Sequence, residues 1–423
     1  MKVLFLTPEV PYPPLGGSKT KSYNLIRQLS ERCEVHLYTF ATPEDEKNLD
    51  KLKPWCGSIE TVGMGRGGKG ALGKLKRLAS PTPDYMAAFI SAEMLDRVRE
   101  AVATGAFDVL HVETIFMGIY GLRTEGEKNA RPFRVLAPND CISEYYRLHS
   151  AVLRPSARKV FMRAQYHKVK AMERRLYGRY DACIFVTERD LRTAERRAGA
   201  LPNASVVPMG VDTVYFSPGD ETATERPSAV FTGYMSYVFN DDAAAYFIRE
   251  AYPLIKKKIP GFRIFFVGVA PSGRLKKFGE RDGDVVVTGY VPDVRPYVRR
   301  AWVYVSPLRY GLGMKDKILE AFSMGKAVVA TGASCNGIEA MDGREFVLAD
   351  GAGEIAERTV SLLENAEARS ALGANARRLV EEKYTWKRAA EEMEKIYGKS
   401  QNNTLGNRVV PGGLRTGGPG RVK

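Results

Sequence analysis

The sequence predicts an α/β chain of two doubly wound domains, each a parallel sheet with helices on both faces. Three observations carry that prediction. Short apolar runs rich in Val, Ile and Phe recur along the chain, separated by helical patterns. A polar, turn-rich stretch without periodicity, 210–228, divides the series into two halves that repeat the same theme. The length of 423 residues is enough for two separate cores.

In chain order, VLFLTP (3–8) reads as a buried strand. A loop carrying Gly16 and Gly17 follows, then a helix from Ser18 to Glu31. EVHLYTF (34–40) is the next strand, with a polar helix behind it. DVLHVE (108–113), RVLAPND (134–140), ACIFVTE (182–188) and SVVPMG (205–210) continue the series. After the break come AVFTGY (229–234), RIFFVG (263–268), VVVTGY (285–290), WVYVSPL (302–308), AVVATG (327–332) and EFVLAD (345–350). The expected division is 1–210 and 211–384, a final helix over 385–398, and a glycine-rich, basic tail over 399–423 expected to be disordered.

Composition narrows the class. A hydrophobic share of 44% is ordinary for a globular chain. The five cysteines are scattered and form no CxxC pair, which predicts neither a disulfide framework nor a zinc site and fits a reducing cytoplasm. The N-terminus does not read as a signal peptide, and no apolar run approaches the roughly 18 residues of a membrane span. The formal charge of +15 points to an anionic partner. Much of it sits in 154–179, where nine Arg or Lys face one Glu. Val160, Phe161, Ala164, Val169, Met172 and Leu176 approximate an apolar stripe there. Two readings stand: a basic face docked on anionic lipid, favoured by the basic segment 65–77, or a solvated helix packed on its own domain. No nucleic-acid-binding signature accompanies the charge.

In open parallel sheets, ligands bind at the carboxyl ends of strands beside helix N-termini. Gly16-Gly17 occupies such a place, where backbone amides could hold an oxyanion. The stretch SPLRYGLGMKDKILEAFSMGKAVVAT (306–331) is its counterpart in the second half. Lys317 and Glu320 are three apart, hence on one helix face. A carboxylate there can accept from vicinal ribose hydroxyls, and a lysine can neutralise a diphosphate. The pair also fits an ordinary surface ion pair.

The strings VVPMGVDTVYFSP (206–218), VFTGYMSY (230–237), VVTGYVPDVRPYVRRAWVYVSPL (286–308) and KILEAFSMGKAVVAT (317–331) resemble retaining glycosyltransferases of family 4. FTGYMSYVFNDDAAAYF and VTERD resemble the subgroup associated with PEP-CTERM/exosortase polysaccharide loci. The resemblance implies a GT-B fold, two facing Rossmann-like domains with the site between them. It implies transfer of a sugar from a UDP- or GDP-sugar to a glycan or polyprenyl-linked acceptor, without metal or resident cofactor. The residues themselves, not the resemblance, set the expectation of a cytoplasmic protein that binds no nucleic acid, with 154–179 as the segment that would make it peripheral on the inner face of the membrane. The last helix would cross back to the first domain.

Carried over residue by residue, the donor side would comprise Gly16, Gly17, Gly233, Val291, Arg309, Gly313, Met314, Lys315, Lys317 and Glu320. The acceptor side would comprise His111, Glu113, Asn139 and Asp140, with His111 and Glu113 facing the cleft; His111 reads equally as a core histidine. Lys317, Glu320 and Glu113 are the expected catalytic group, with no base assigned. Two features depart from the family pattern. Leu312 stands where the first of two spaced glutamates is usual. Tyr234 and Phe239 stand near the usual Arg and Lys. Lys317, supported by Lys315 or Arg309, would then supply the phosphate charge. Other readings kept open are a different GT-B enzyme such as a sugar-nucleotide epimerase, an inactive nucleotide-sugar-binding subunit, and a basic nucleic-acid binder.

Overall fold

β-Branched and aromatic runs pair in register into two all-parallel sheets, and the predicted fold class holds. The computed structural model describes residues 1–64, 80–124, 131–219 and 226–406. The basic segment 65–77 and the tail beyond 406 lie outside the described residues.

The first sheet has seven strands: β1 Lys2–Thr7, β2 Glu34–Ala41, β3 Ser58–Gly63, β4 Val109–Glu113, β5 Phe133–Asn139, β6 Ala182–Phe185 and β7 Ala204–Val206. Their spatial order is β3-β2-β1-β4-β5-β6-β7. The second has six: β8 Ser228–Thr232, β9 Arg263–Val267, β10 Val285–Gly289, β11 Val303–Ser306, β12 Val328–Ala330 and β13 Val347–Leu348, in the order β10-β9-β8-β11-β12-β13. In each sheet the order reverses once, between β1 and β4 and between β8 and β11. Those two switch points are where a doubly wound sheet opens a crevice. The central strands are buried on both faces, as continuous apolar runs require.

β3 has no counterpart among the predicted strands. SIETVG places a carboxylate at its centre, and it pairs only with β2 at the sheet edge, so it lacks the apolar run of a central strand.

The last helix is longer than predicted, running Trp386–Gly406. Trp386, Ala389, Ala390, Met393, Ile396 and Tyr397 are buried along it at helical spacing. They share one core cluster with Leu25 and Ile26 of the Gly17–Leu29 helix, so this helix lies against the first one. The chain crosses between the sheets twice, side by side. Val211 forms a parallel bridge with Thr385, and a Cβ at Gly210 would stand 2.4 Å from the Trp386 nitrogen. Only glycine permits that approach.

The basic stretch forms the helix Ala157–Tyr177. Gln165, Val169, Glu173, Leu176 and Tyr177 are its buried residues. Val160 is a correction to the expected stripe: it is 69% exposed, on the outward face. Buried Glu173 accepts from Ser143 N at 2.8 Å and from Ser143 Oγ at 2.5 Å, which ties this helix to the preceding one, Ile142–Val152.

Candidate active site at the facing switch points

The loops after β1 and β11 bring two helix N-termini face to face. Gly16 has φ +95° and open space around it, and it precedes the Gly17–Leu29 helix. No acidic side chain lies in that helix's first turn and no side chain caps it, so its leading amides remain available to an anion. A Cβ at Gly17 would lie 4.0 Å from Asp316 Oδ2, at the start of the Asp316–Ser323 helix.

Behind Asp316 stands Lys317, which is buried and donates to Asn240 Oδ1 at 2.6 Å. Its ammonium sits 4.3 Å above the Phe231 ring and 3.2 Å from where a Gly233 Cβ would be. Gly233, at φ +147°, therefore keeps the space before the ammonium clear. Burial depresses the Lys317 ammonium to about 7, against a raising field from Asp316. Glu320 is half-buried one turn on, and its carboxyl makes no hydrogen bond or ion pair among the described residues. Burial, reinforced by Asp316, pushes it up to about 8. A cation short of counter-charge and an unpartnered carboxyl thus share one helix face, as their spacing predicts.

On the first sheet, His111 and Glu113 do not face the cleft as expected. Both are fully buried. Glu113 accepts from Lys21 Nζ at 2.9 Å, from Asn139 Nδ2 at 3.1 Å and from His111 Nε2 at 2.9 Å. Burial alone would raise its carboxyl, but the Lys21 charge and the His111 hydrogen bond outweigh that and hold it at about 2. With Nε2–H donating to Glu113, the bare Nδ1 of His111 accepts Tyr397 O–H at 2.7 Å. Burial keeps this imidazole neutral. Glu113 therefore has no free oxygen to orient an acceptor hydroxyl. Asn139 is similarly engaged, accepting from Lys21 Nζ at 2.5 Å and holding φ +67°. The network fixes the turn that leads into Asp140.

Asp140 does reach the opposite domain. A Cβ at Gly313 would fall 2.1 Å from Asp140 Oδ1, so the carboxylate lies on the Gly313 backbone. Burial pushes Asp140 up to about 7, with Asp190 raising it further and Lys315 opposing. Gly313 and Gly337 both have positive φ, and a Cβ at Gly337 would sit 2.3 Å from Thr187 Cγ2. Tyr145 stacks on Tyr237 across the same interface, centroids 6.3 Å apart.

The remaining expected residues fall as follows. Arg309 is exposed and paired with Asp242 at 2.5 and 2.9 Å, over the Tyr246 ring, so its guanidinium is already committed away from Lys317. Lys315 donates to the Leu312 and Gly313 carbonyls and braces the loop, and burial lowers its ammonium. Met314 is buried beneath that loop. Val291 is half-buried in the loop after β10 and packs on the core. Four residues at the site had no sequence signal: Lys21, Asp190, Asn240 and Asp316. A lysine in a helix and an asparagine 77 residues from its partner look like surface residues until the chain is folded.

Comparison with known proteins gives this geometry a context. Residues 15–215 match a family model described as Glycosyltransferase Family 4, and residues 226–365 match one described as Glycosyl transferases group 1. Among curated proteins, an uncharacterised glycosyltransferase of Methanocaldococcus jannaschii is 28% identical over 107 residues, covering 25% of this chain and 27% of that protein. The match thus spans about a quarter of the relative's length. Among solved structures, sucrose-phosphate synthase from Thermosynechococcus elongatus superposes with a TM-score of 0.71 at 17% identity, over 95% of this chain and 100% of that one. HepE of Anabaena, in complex with UDP and glucose, gives 0.66 at 15%, over 94% and 99%. TarM of S. aureus, in complex with Fondaparinux, alpha-GlcNAc-glycerol and UDP, gives 0.66 at 11%, over 94% and 99%. At such identities the structural likeness speaks for the fold.

Proposed function

Given that the chain is a GT-B glycosyltransferase, we propose that it transfers a sugar, with retention at the anomeric carbon, from a nucleotide-diphosphate sugar to a glycan or lipid-linked acceptor. The observation that carries this reading is the under-neutralised Lys317 and the unpartnered Glu320, opposite the open amides at Gly16-Gly17. The diphosphate would lie between the two helix N-termini, with Lys317 neutralising the leaving group and the amides of 16–18 binding its oxygens. Glu320 would accept from the ribose hydroxyls. Asp140, at the domain contact, is the acceptor-side group left to the reaction once Glu113 is assigned to the core. The acceptor hydroxyl would attack on the face from which the diphosphate leaves, and the departing phosphate oxygen would take its proton. Domain contact at Gly313 and Gly337 would exclude water from that step. UDP is the nucleotide we favour, because HepE and TarM carry it in their complexes. Neutralisation by Lys317 and amides needs no metal. A role in bacterial surface polysaccharide assembly, of the PEP-CTERM-associated kind, is part of the same proposal.

A second reading has one observation in its favour. Leu312 leaves a usual carboxylate position apolar, which suits a subunit that binds nucleotide sugar without turnover.

The test is a thermal-shift screen with UDP, GDP, ADP, dTDP and their common sugars, repeated on Lys317→Ala and Glu320→Ala. One nucleotide should stabilise the wild type and neither variant. Equal stabilisation of all three proteins would remove the site assignment. Stabilisation without release of nucleoside diphosphate from any sugar donor, across an acceptor panel, would favour the binding subunit.

A further inference from the structure

The outward face of the Ala157–Tyr177 helix is basic without counter-charge. Val160, Arg163, His167, Ala171 and Arg174 recur at helical spacing and are all exposed. Arg154, Arg158, Arg163, Arg174 and Arg175 are exposed and make no ion pair among the described residues. The buried face is occupied by its own domain, so packing does not account for the charge outside.

Apolar side chains stand beside it. Val160 is 69% exposed, Tyr85 56% and Ile90 47%. Tyr85 is not a stray residue: its ring lies 4.6 Å from Phe116 and 5.9 Å from Phe89, so it projects from an aromatic cluster. The segment carrying it is tied to the basic helix, because Gln165 Oε1 accepts from Asp84 N at 2.9 Å. Tyr145 lies within electrostatic reach of both Arg158 and Tyr85, and Tyr145 stacks on Tyr237 across the domain contact. The helix carrying Tyr145 is bonded to the basic helix through Ser143 and Glu173, so the basic face belongs to the part of the first domain that meets the second.

We propose that this face seats on an anionic bilayer. Arg154, Arg158, Arg163 and Arg174 would lie on the headgroups and Tyr85, Ile90 and Val160 would enter the interface, bringing the acceptor side of the cleft to the lipid surface. The occupant is argued from charge complementarity and from the pairing of unopposed arginines with exposed aromatic and aliphatic tips, the composition an interfacial surface takes. No helix among the described residues is long and apolar enough to cross a membrane, so the contact is a seat and not a span. This deepens the lipid-linked arm of the proposed function and rests on it for its purpose, not for its test.

Each basic side chain near an anionic surface contributes about fivefold to partitioning, so reversing three should cost at least about a hundredfold. The experiment is co-sedimentation of the full chain with vesicles of phosphatidylglycerol mixed with phosphatidylcholine, and of phosphatidylcholine alone. The wild type should bind only the anionic vesicles and release them between about 0.05 M and about 0.5 M salt. Arg158→Glu/Arg163→Glu/Arg174→Glu should lose binding by at least about a hundredfold at an unchanged melting temperature. Tyr85→Ser/Ile90→Ser should lose severalfold. Absence of wild-type binding, equal binding to neutral vesicles, or binding unmoved by the charge reversal would each overturn the proposal. So would a duplex DNA oligonucleotide bound as tightly as the vesicles. A UDP thermal shift on the same preparation separates the two claims. Stabilisation by UDP without vesicle binding sinks only the lipid seat, and the reverse sinks only the donor site.

Discussion

Replacing Lys21 by Met should destabilise the first domain severely although no ligand is touched. Lys21 is 2% exposed and its ammonium is shared between Glu113 at 2.9 Å and Asn139 at 2.5 Å. Methionine keeps the stem and deletes the charge, leaving Glu113 ionised and buried with a neutral histidine and an amide for company. Breaking a buried pair from one side costs about 3–5 kcal/mol. The Glu113 carboxyl, which Lys21 lowers together with His111 against the effect of burial, gives a figure of the same order. Glu113 is held at about 2 against an ordinary 4.5. That difference corresponds to about 3 kcal/mol of stability at neutral pH. For a domain of this size each kcal/mol moves the melting temperature by about 2–4 °C, so the expected loss is about 6–20 °C. The pH dependence has a definite sign. A carboxylate with a depressed folded-state pKa stabilises above its unfolded value, and that contribution disappears as pH falls through the folded value. The gap between wild type and Lys21→Met should therefore be full at neutral pH, shrink as acid protonates the buried carboxyl, and be gone once the wild-type Glu113 itself protonates at about 2. Melting followed by near-ultraviolet circular dichroism across that range reads both quantities. A variant melting within about 2 °C of wild type, or a gap indifferent to acid, would refute the reasoning.

Three more outcomes follow from the same geometry. UDP affinity should be greatest below about 7 and weaken above it, because a bound diphosphate favours the protonated form of Lys317; calorimetry in two buffers should show proton uptake on binding, and Lys317→Arg should flatten the profile. Gly313→Ala puts a side chain at φ +60° and 2.1 Å from Asp140 Oδ1, so it should force the domains apart; small-angle scattering should show a larger radius of gyration, partly restored by adding Asp140→Ala. Tyr397→Phe removes the hydroxyl that serves His111 Nδ1 and should cost about 1–3 kcal/mol in chemical denaturation, with UDP stabilisation retained.

What sequence could and could not disclose divides along chain separation. Buried strands such as β1, β4 and β8 advertise themselves through local apolar runs, and Lys317 with Glu320 through helical spacing. β3 escaped because an edge strand tolerates a central glutamate. Val160 falls outside the buried face because its helix buries Gln165 and Glu173, polar residues that carry no hydrophobic signal. The error on Glu113 is of another kind. A carboxylate at a strand end is open or closed depending on what another element brings to it, and Lys21 comes from 92 residues away. Arg309 shows the same effect, its charge taken by Asp242 on a helix 67 residues earlier.

The placement of the Trp386–Gly406 helix also orders events in time. All seven strands of the first sheet have been synthesised by Val206, yet the cluster holding Val3, Phe5, Leu25 and Ile26 also needs Met393, Ile396 and Tyr397. A nascent chain emerging from the ribosome therefore waits through some 180 further residues, at a rate of about 5–20 per second, with an apolar groove on its first domain uncovered. The first domain is the earliest to be made and the last to be finished, and a chain cut before Trp386 should never finish it.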